Sequence, residues 1–182
     1  ENIEVELRIK HVTKKEFEDL FDDISSQYPC NITEDICYTY NGYRRINDIY
    51  QIKKPIQTFN INFFYTEIRM SIASEVTIKK PNRLDDIILY ERKRRRAIFK
   101  IENDLWMFTH VKSDDKEYYE IELEFYNYYF TNSSIDILKK IITKKFPFIR
   151  IDPYPKELIR PKNLLRENIL EIFLFGINYI IK

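Results

Sequence analysis

The sequence predicts a β-dominated α+β domain, its strands arranged as an antiparallel closed barrel with flanking helices. Three stretches point there. Tyr119 to Phe125 alternates strictly, with Glu120, Glu122 and Glu124 on one face and Ile121, Leu123 and Phe125 on the other, as a strand requires. Ile3 to Lys10 repeats the pattern: Ile3, Val5, Leu7 and Ile9 oppose Glu4, Glu6, Arg8 and Lys10. Between them in sequence, Tyr90 to Phe99 forms a basic strand whose alternate positions Arg92, Arg94 and Arg96 share a face.

Same-face neighbours on a strand lie roughly 6.6–6.8 Å apart. At an effective dielectric near 20, two carboxylates at that distance repel by about 2.5 kcal/mol. Three in a row need water, cations or a metal ion. A solvated strand face satisfies the acidic stretch taken alone. Two acidic-faced strands with a basic-faced strand between them suggest instead that carboxylates and guanidiniums line one interior.

The elements follow in order. The first strand covers about Asn2 to His11, after which Thr13-Lys14-Lys15-Glu16 has the spacing of a capping box. Phe17, Leu20, Phe21 and Ile24 then lie on one helical face, and that helix should end near Tyr28-Pro29. Ile36 to Tyr43 is strand-like, with Asn41-Gly42 a hairpin signal, and Arg44 to Lys54 is expected to pair back across it. Gln57 to Tyr65, Glu67 to Ser74 and Glu75 to Lys80 read as further strands, with Arg69 opposite Ile68 and Met70. The basic strand spans Asp86 to Lys100, and Lys93 and Arg95 offer its opposite face. A turn at Asn103-Asp104 leads into Leu105 to Lys112, and Glu117 to Tyr126 forms the acidic strand. Ser133 or Ser134 can cap a helix through about Lys145, with Ile135, Leu138, Ile141 and Ile142 on its apolar face. Four prolines interrupt the chain from Pro147 to Pro161, and Asn163 to Tyr179 reads as a last helix. This gives eight or nine strands joined mostly by short turns. Short connections favour antiparallel pairing, and closure removes the edges.

Composition narrows the function classes. The 182 residues carry 30 Lys and Arg against 29 Asp and Glu, a net charge of +1, so a broad nucleic-acid-binding face is not expected. Two glycines, Gly42 and Gly176, cannot build a Gly-rich phosphate loop. Cys30 and Cys37 match no zinc spacing and no disulfide scaffold, and a reduced intracellular compartment is expected. With only His11 and His110, a His-rich metal site is not expected. The apolar stretch Ile169 to Ile181 is too short to cross a bilayer, and no membrane partner is expected. The start on a strand, without Met, suggests a single domain excised from a longer protein, or one whose disordered parts are missing.

Glu4-x-Glu6-x-Arg8, Arg92-x-Arg94-x-Arg96 and Glu120-x-Glu122-x-Glu124, in that order, resemble the metal-dependent RNA 5′-triphosphatases of the triphosphate tunnel superfamily, the fungal, protozoan and DNA-virus type. The resemblance covers roughly Glu1 to Phe125, and no motif of the last third matches. It implies an antiparallel eight-stranded tunnel with a charged interior. It implies Glu4, Glu6 and Glu124 as ligands of magnesium or manganese. Glu122 and Glu120 would position the attacking water, and Arg94 would assist catalysis. Arg8, Arg69, Lys79, Arg92, Arg94 and Arg96 would grip the triphosphate. Leu105 and Met107 depart from the family pattern ahead of Thr109-His110-Val111, where a basic residue and an Asp are usual.

The expected reaction is release of the γ-phosphate from the 5′-triphosphate end of RNA, the first step of mRNA capping, with free NTPs as possible further substrates. The expected setting is a viral capping enzyme with other domains in cis, in a virion or a viral factory in host cytoplasm. Within the same superfamily, hydrolysis of inorganic or thiamine triphosphate, or cyclisation of ATP, stays open. A noncatalytic module holding phosphorylated RNA ends predicts metal-independent binding. A structural domain with merely solvated charges predicts no metal dependence.

Overall fold

The apolar positions of the first strand have to be covered from one side, and the architecture follows from that. The computed structural model describes residues 2–63, 66–82, 86–126 and 131–145. β1 (Asn2–Val12) buries Val5, Leu7 and Ile9 completely. Thr13 caps α1 (Lys14–Ser25), its Oγ1 accepting from the Glu16 amide at 3.2 Å, as the capping spacing predicts. Phe17 and Phe21 on α1 meet Phe99, Phe108 and Tyr119 edge-on or tilted, with ring centroids 5.0–6.2 Å apart.

The remaining strands are β2 (Asn31–Thr39), β3 (Arg44–Ile46), β4 (Ile49–Phe63), β5 (Thr66–Ile78), β6 (Tyr90–Ile101), β7 (Asp104–Ser113) and β8 (Lys116–Glu124). They close in the order β1-β5-β4-β3-β2-β6-β7-β8, and every neighbouring pair is antiparallel. This is the eight-stranded closed barrel expected from the sequence.

Several boundaries differ from the sequence reading. The stretch Arg44 to Lys54 is not one strand: Asn47, at φ 52°, turns the chain between β3 and β4. β4 then runs 15 residues through Pro55, where its pairing with β5 slips by one residue. Proline is tolerated there because β3 pairs only with residues 49–51, leaving β5 as the one described hydrogen-bonding neighbour of this part of β4. The two strands expected over Glu67 to Lys80 are one, β5. β6 begins at Tyr90, and its turn into β7 sits at Glu102-Asn103, both at positive φ, as a tight hairpin demands. β2 starts five residues earlier than expected, at Asn31.

α2 (Asn132–Lys145) is capped by Thr131, not by Ser133 or Ser134: Thr131 Oγ1 accepts from the Ser134 amide at 3.1 Å. The helix is fastened to β7 by polar contacts. Ser134 Oγ accepts from Trp106 Nε1 at 3.1 Å and donates to Asp104 Oδ2 at 2.8 Å, and Thr131 Oγ1 also donates to that carboxylate at 3.1 Å. The predicted helix over residues 163–179 lies outside the described residues.

The hydrophobic core therefore sits outside the barrel, between its outer face and the two helices. Leu7, Ile9, Phe99, Trp106, Phe108, Ile121 and Leu123 join Leu20 and Ile24 of α1 and Ile135, Leu138 and Ile141 of α2. Because strand side chains alternate, this packing commits the opposite faces of the same strands to the barrel interior.

Candidate functional site in the barrel interior

The register brings the charged faces together. On β1 and β8, Glu6 stands opposite Glu124 and Arg8 opposite Glu122; on β1 and β5, Glu6 faces Ser71 and Arg8 faces Arg69. Arg8 Nη2 lies 2.9 Å from Glu122 Oε1 and 3.9 Å from Glu6, and its Nη1 lies 3.9 Å from Glu120. Arg69 Nη2 lies 3.8 Å from Glu6, whose Oε1 also accepts from Ser71 Oγ at 3.3 Å. Glu6 and Glu122 are buried despite their charge. Burial opposes the Glu6 carboxylate, but Lys53, Arg8 and Arg69 outweigh it and hold its pKa below the ordinary range. The same carboxylates, Glu122 first, raise the Arg8 pKa against the effect of burial.

The basic strand resolves its two faces. Arg92, Arg94 and Arg96 stand across from Cys37, Asp35 and Thr33 of β2. Arg94 is buried and forks onto Asp35 through Nε at 2.7 Å and Nη2 at 2.9 Å. Arg96 Nε donates to Thr109 Oγ1 at 3.3 Å, and Arg92 Nη2 donates to Cys37 Sγ at 3.5 Å. Lys93 and Arg95 are exposed, and Arg95 pairs with the exposed Glu34.

Among the described residues, four buried guanidinium Nε donors have no hydrogen-bond partner, and three of them, those of Arg8, Arg69 and Arg92, belong to this interior while Arg45 lies over Tyr38. Arg96 is held among other cations, its pKa lowered by burial and by the Arg94 charge. Unmet donors and crowded cations make this interior receptive to an anion rich in oxygen.

On the carboxylate side, burial together with the charges of Glu4 and Glu6 pushes the Glu124 pKa up to about 7. Burial also raises Glu120, with Glu122 adding repulsion and Arg8 opposing it. Carboxylates crowded in this way suit a hard divalent cation. Among the described residues, however, no three His, Cys, Asp or Glu side chains form a ready ligand cluster. The position between Glu4 and Glu6 is taken by an ammonium: Lys53 Nζ lies 2.8 Å from Glu4 and 3.2 Å from Glu6. The donor chemistry fits such an ion, and Lys53 is what now compensates it.

Of the residues singled out from sequence, Glu4, Glu6, Arg8, Arg69, Arg92, Arg94, Arg96, Glu120, Glu122 and Glu124 all project from the strand faces that meet in this interior. Lys79 does not join them. Its alternation with Arg69 is correct, but β5 ends at Ile78 and Lys79 is exposed beyond it, outside every ion pair of the described residues. Lys53, Asp35 and the network of Arg44, Gln51 and Glu75 were not anticipated. In that network Arg44 Nη2 lies 2.7 Å from Glu75 Oε2, while Gln51 joins both partners at 2.9–3.2 Å.

Fold and interior together define an eight-stranded closed barrel lined with charged side chains. No protein-family model matches the sequence, and no curated protein sequence does. Solved structures share the fold. The Pct1 RNA triphosphatase of S. pombe aligns with a TM-score of 0.59 at 13% identity, over 80% of this chain and 77% of that one. The same protein in complex with the Spt5 CTD gives 0.61 at 13%, over 98% and 84%. The RNA triphosphatase domain of the trifunctional mimivirus mRNA capping enzyme gives 0.55 at 18%, over 81% and 88%. At these identities the likeness is one of fold.

Proposed function

We propose that this chain is a metal-dependent polynucleotide 5′-triphosphatase, releasing the γ-phosphate of RNA 5′-triphosphate ends as the first step of capping. The observation that carries the reading is the interior itself: guanidinium Nε donors without acceptors beside crowded carboxylates, in one barrel. The names of the solved structures with this fold support it.

Arg8, Arg69, Arg92, Arg94 and Arg96 bind the triphosphate oxygens, forked donors meeting the charge that spreads over them in the transition state. Asp35 fixes Arg94 by occupying Nε and Nη2, leaving Nη1 to donate. Glu4, Glu6 and Glu124 would hold magnesium or manganese, which when bound neutralises charge at the reacting phosphoryl group. Glu122, oriented by Arg8, and Glu120 position the attacking water. Burial makes Glu120 the readier acceptor of its proton. Water oxygen bonds to the γ-phosphorus, the β–γ bridging bond breaks, and a diphosphate end and inorganic phosphate result.

Phosphate release from 5′-triphosphate RNA tests this, with magnesium or manganese and then with chelator. Glu122→Gln is expected to nearly abolish metal-dependent release while leaving the circular dichroism unchanged; normal turnover by that variant would overturn the assignment. Inorganic tripolyphosphate, thiamine triphosphate and ATP in parallel establish substrate preference.

A further inference from the structure

Among the described residues, Lys53 is the one cation paired with both Glu4 and Glu6. It comes from β4, across β5 from the strand that carries them, and its side chain is 23% exposed. Its alternate neighbour Gln51 belongs to the Arg44–Glu75 network, so the stem is anchored on the interior face. Glu6 has further cationic neighbours in Arg8 and Arg69, but Glu4 has Lys53 alone among the described ion pairs.

We propose that Lys53 is an internal counter-ion of the carboxylate pair, one that an entering divalent cation has to displace. This rests on the metal-dependent reading above. A divalent cation and an ammonium, both positive, would compete for the same space between the two carboxylates. A dication bound to Glu4 and Glu6 therefore takes at least one carboxylate from Lys53. The released ammonium sits on a flexible four-carbon stem beside the guanidiniums, within the interior that binds polyphosphate. Lys53 thus keeps the metal-free interior from holding uncompensated carboxylates, and it weakens metal binding by the fraction of time it occupies them. The lysine sets how much free metal ion the protein needs.

The test measures Mn2+ binding directly, by electron paramagnetic resonance of the free ion, on wild type, Lys53→Gln and Lys53→Arg. Lys53→Gln is expected to bind Mn2+ about tenfold more tightly than wild type. Lys53→Arg, which keeps the charge, should stay near wild type. In chelator, Lys53→Gln should melt below wild type, and Mn2+ should raise its Tm by more. Should this variant fold only with the ion, rescue by Mn2+ is the same result, and failure of rescue overturns the inference. Equal or weaker Mn2+ binding by Lys53→Gln overturns the inference alone. Absence of Mn2+ binding by every form overturns it together with the metal-dependent reading.

Discussion

Arg8 Nη2 lies 2.9 Å from Glu122 Oε1, and the two residues stand directly opposite each other on β1 and β8. The carboxylate proposed to orient water is thus held by a guanidinium that also touches Glu6 and Glu120. Arg8→Leu leaves buried Glu122 uncompensated, a change expected to cost about 3 kcal/mol. Urea unfolding reads it, with an unchanged slope marking a real stability loss. Adding Glu122→Gln should return part of that loss, because the two effects share one contact. Strict additivity of the pair would contradict the coupling.

Arg94 and Asp35 predict a loss of rate without a loss of fold. The fork onto Asp35 uses a planar geometry that an ammonium cannot copy. Arg94→Lys is therefore expected to lower kcat/KM for triphosphate RNA at least about tenfold, through kcat as well as KM. Asp35→Asn should cost less, since it loosens Arg94 without removing it. An Arg94→Lys protein as active as wild type would remove Arg94 from the machinery.

Asp104 carries the attachment of α2, and it titrates in a predictable direction. Burial raises its pKa above the ordinary 3.8, although Tyr126 N, Ser134 Oγ and Thr131 Oγ1 all donate to it. A carboxyl whose folded-state pKa is raised binds its proton more tightly on folding. Its contribution to stability is full below pH 3.8 and is lost as pH rises through the folded-state value. Asp104→Asn should flatten this part of the stability–pH curve. Asp104→Ala leaves buried donors unmet and should cost about 3 kcal/mol in thermal or urea unfolding.

The parts of this site legible in sequence are those written in strict alternation. Glu4-x-Glu6-x-Arg8 and Glu120-x-Glu122-x-Glu124 each alternate with apolar residues that declare which side is covered, whereas Arg92-x-Arg94-x-Arg96 alternates with Lys93 and Arg95, and only the pairing with β2 tells its two faces apart. Lys53 could not be assigned in this way, because Lys54 follows it and Pro55 shifts the register, so either lysine could face inward. Arg44 and Arg45 present the same ambiguity; Arg44 turns to Glu75 while Arg45 stacks over Tyr38. Asp35 lies in the half of β2 with little apolar alternation, Asn31 to Asp35, which only pairing with β6 defines as strand. Lys79 shows the converse: correct alternation, carried past the point where the strand stops.

A barrel whose core lies outside and whose chemistry lies inside keeps its two requirements on separate residues of the same strand. On β8, Ile121 and Leu123 answer to the helices, while Glu120, Glu122 and Glu124 answer to the tunnel. Substitutions in one register can accumulate with little effect on the other, so chemistry and stability are free to diverge independently. A deletion of one residue within such a strand has the opposite character. It would exchange both registers at once, turning carboxylates toward phenylalanines and leucines toward the guanidiniums. Such a protein tolerates rewriting and resists reframing.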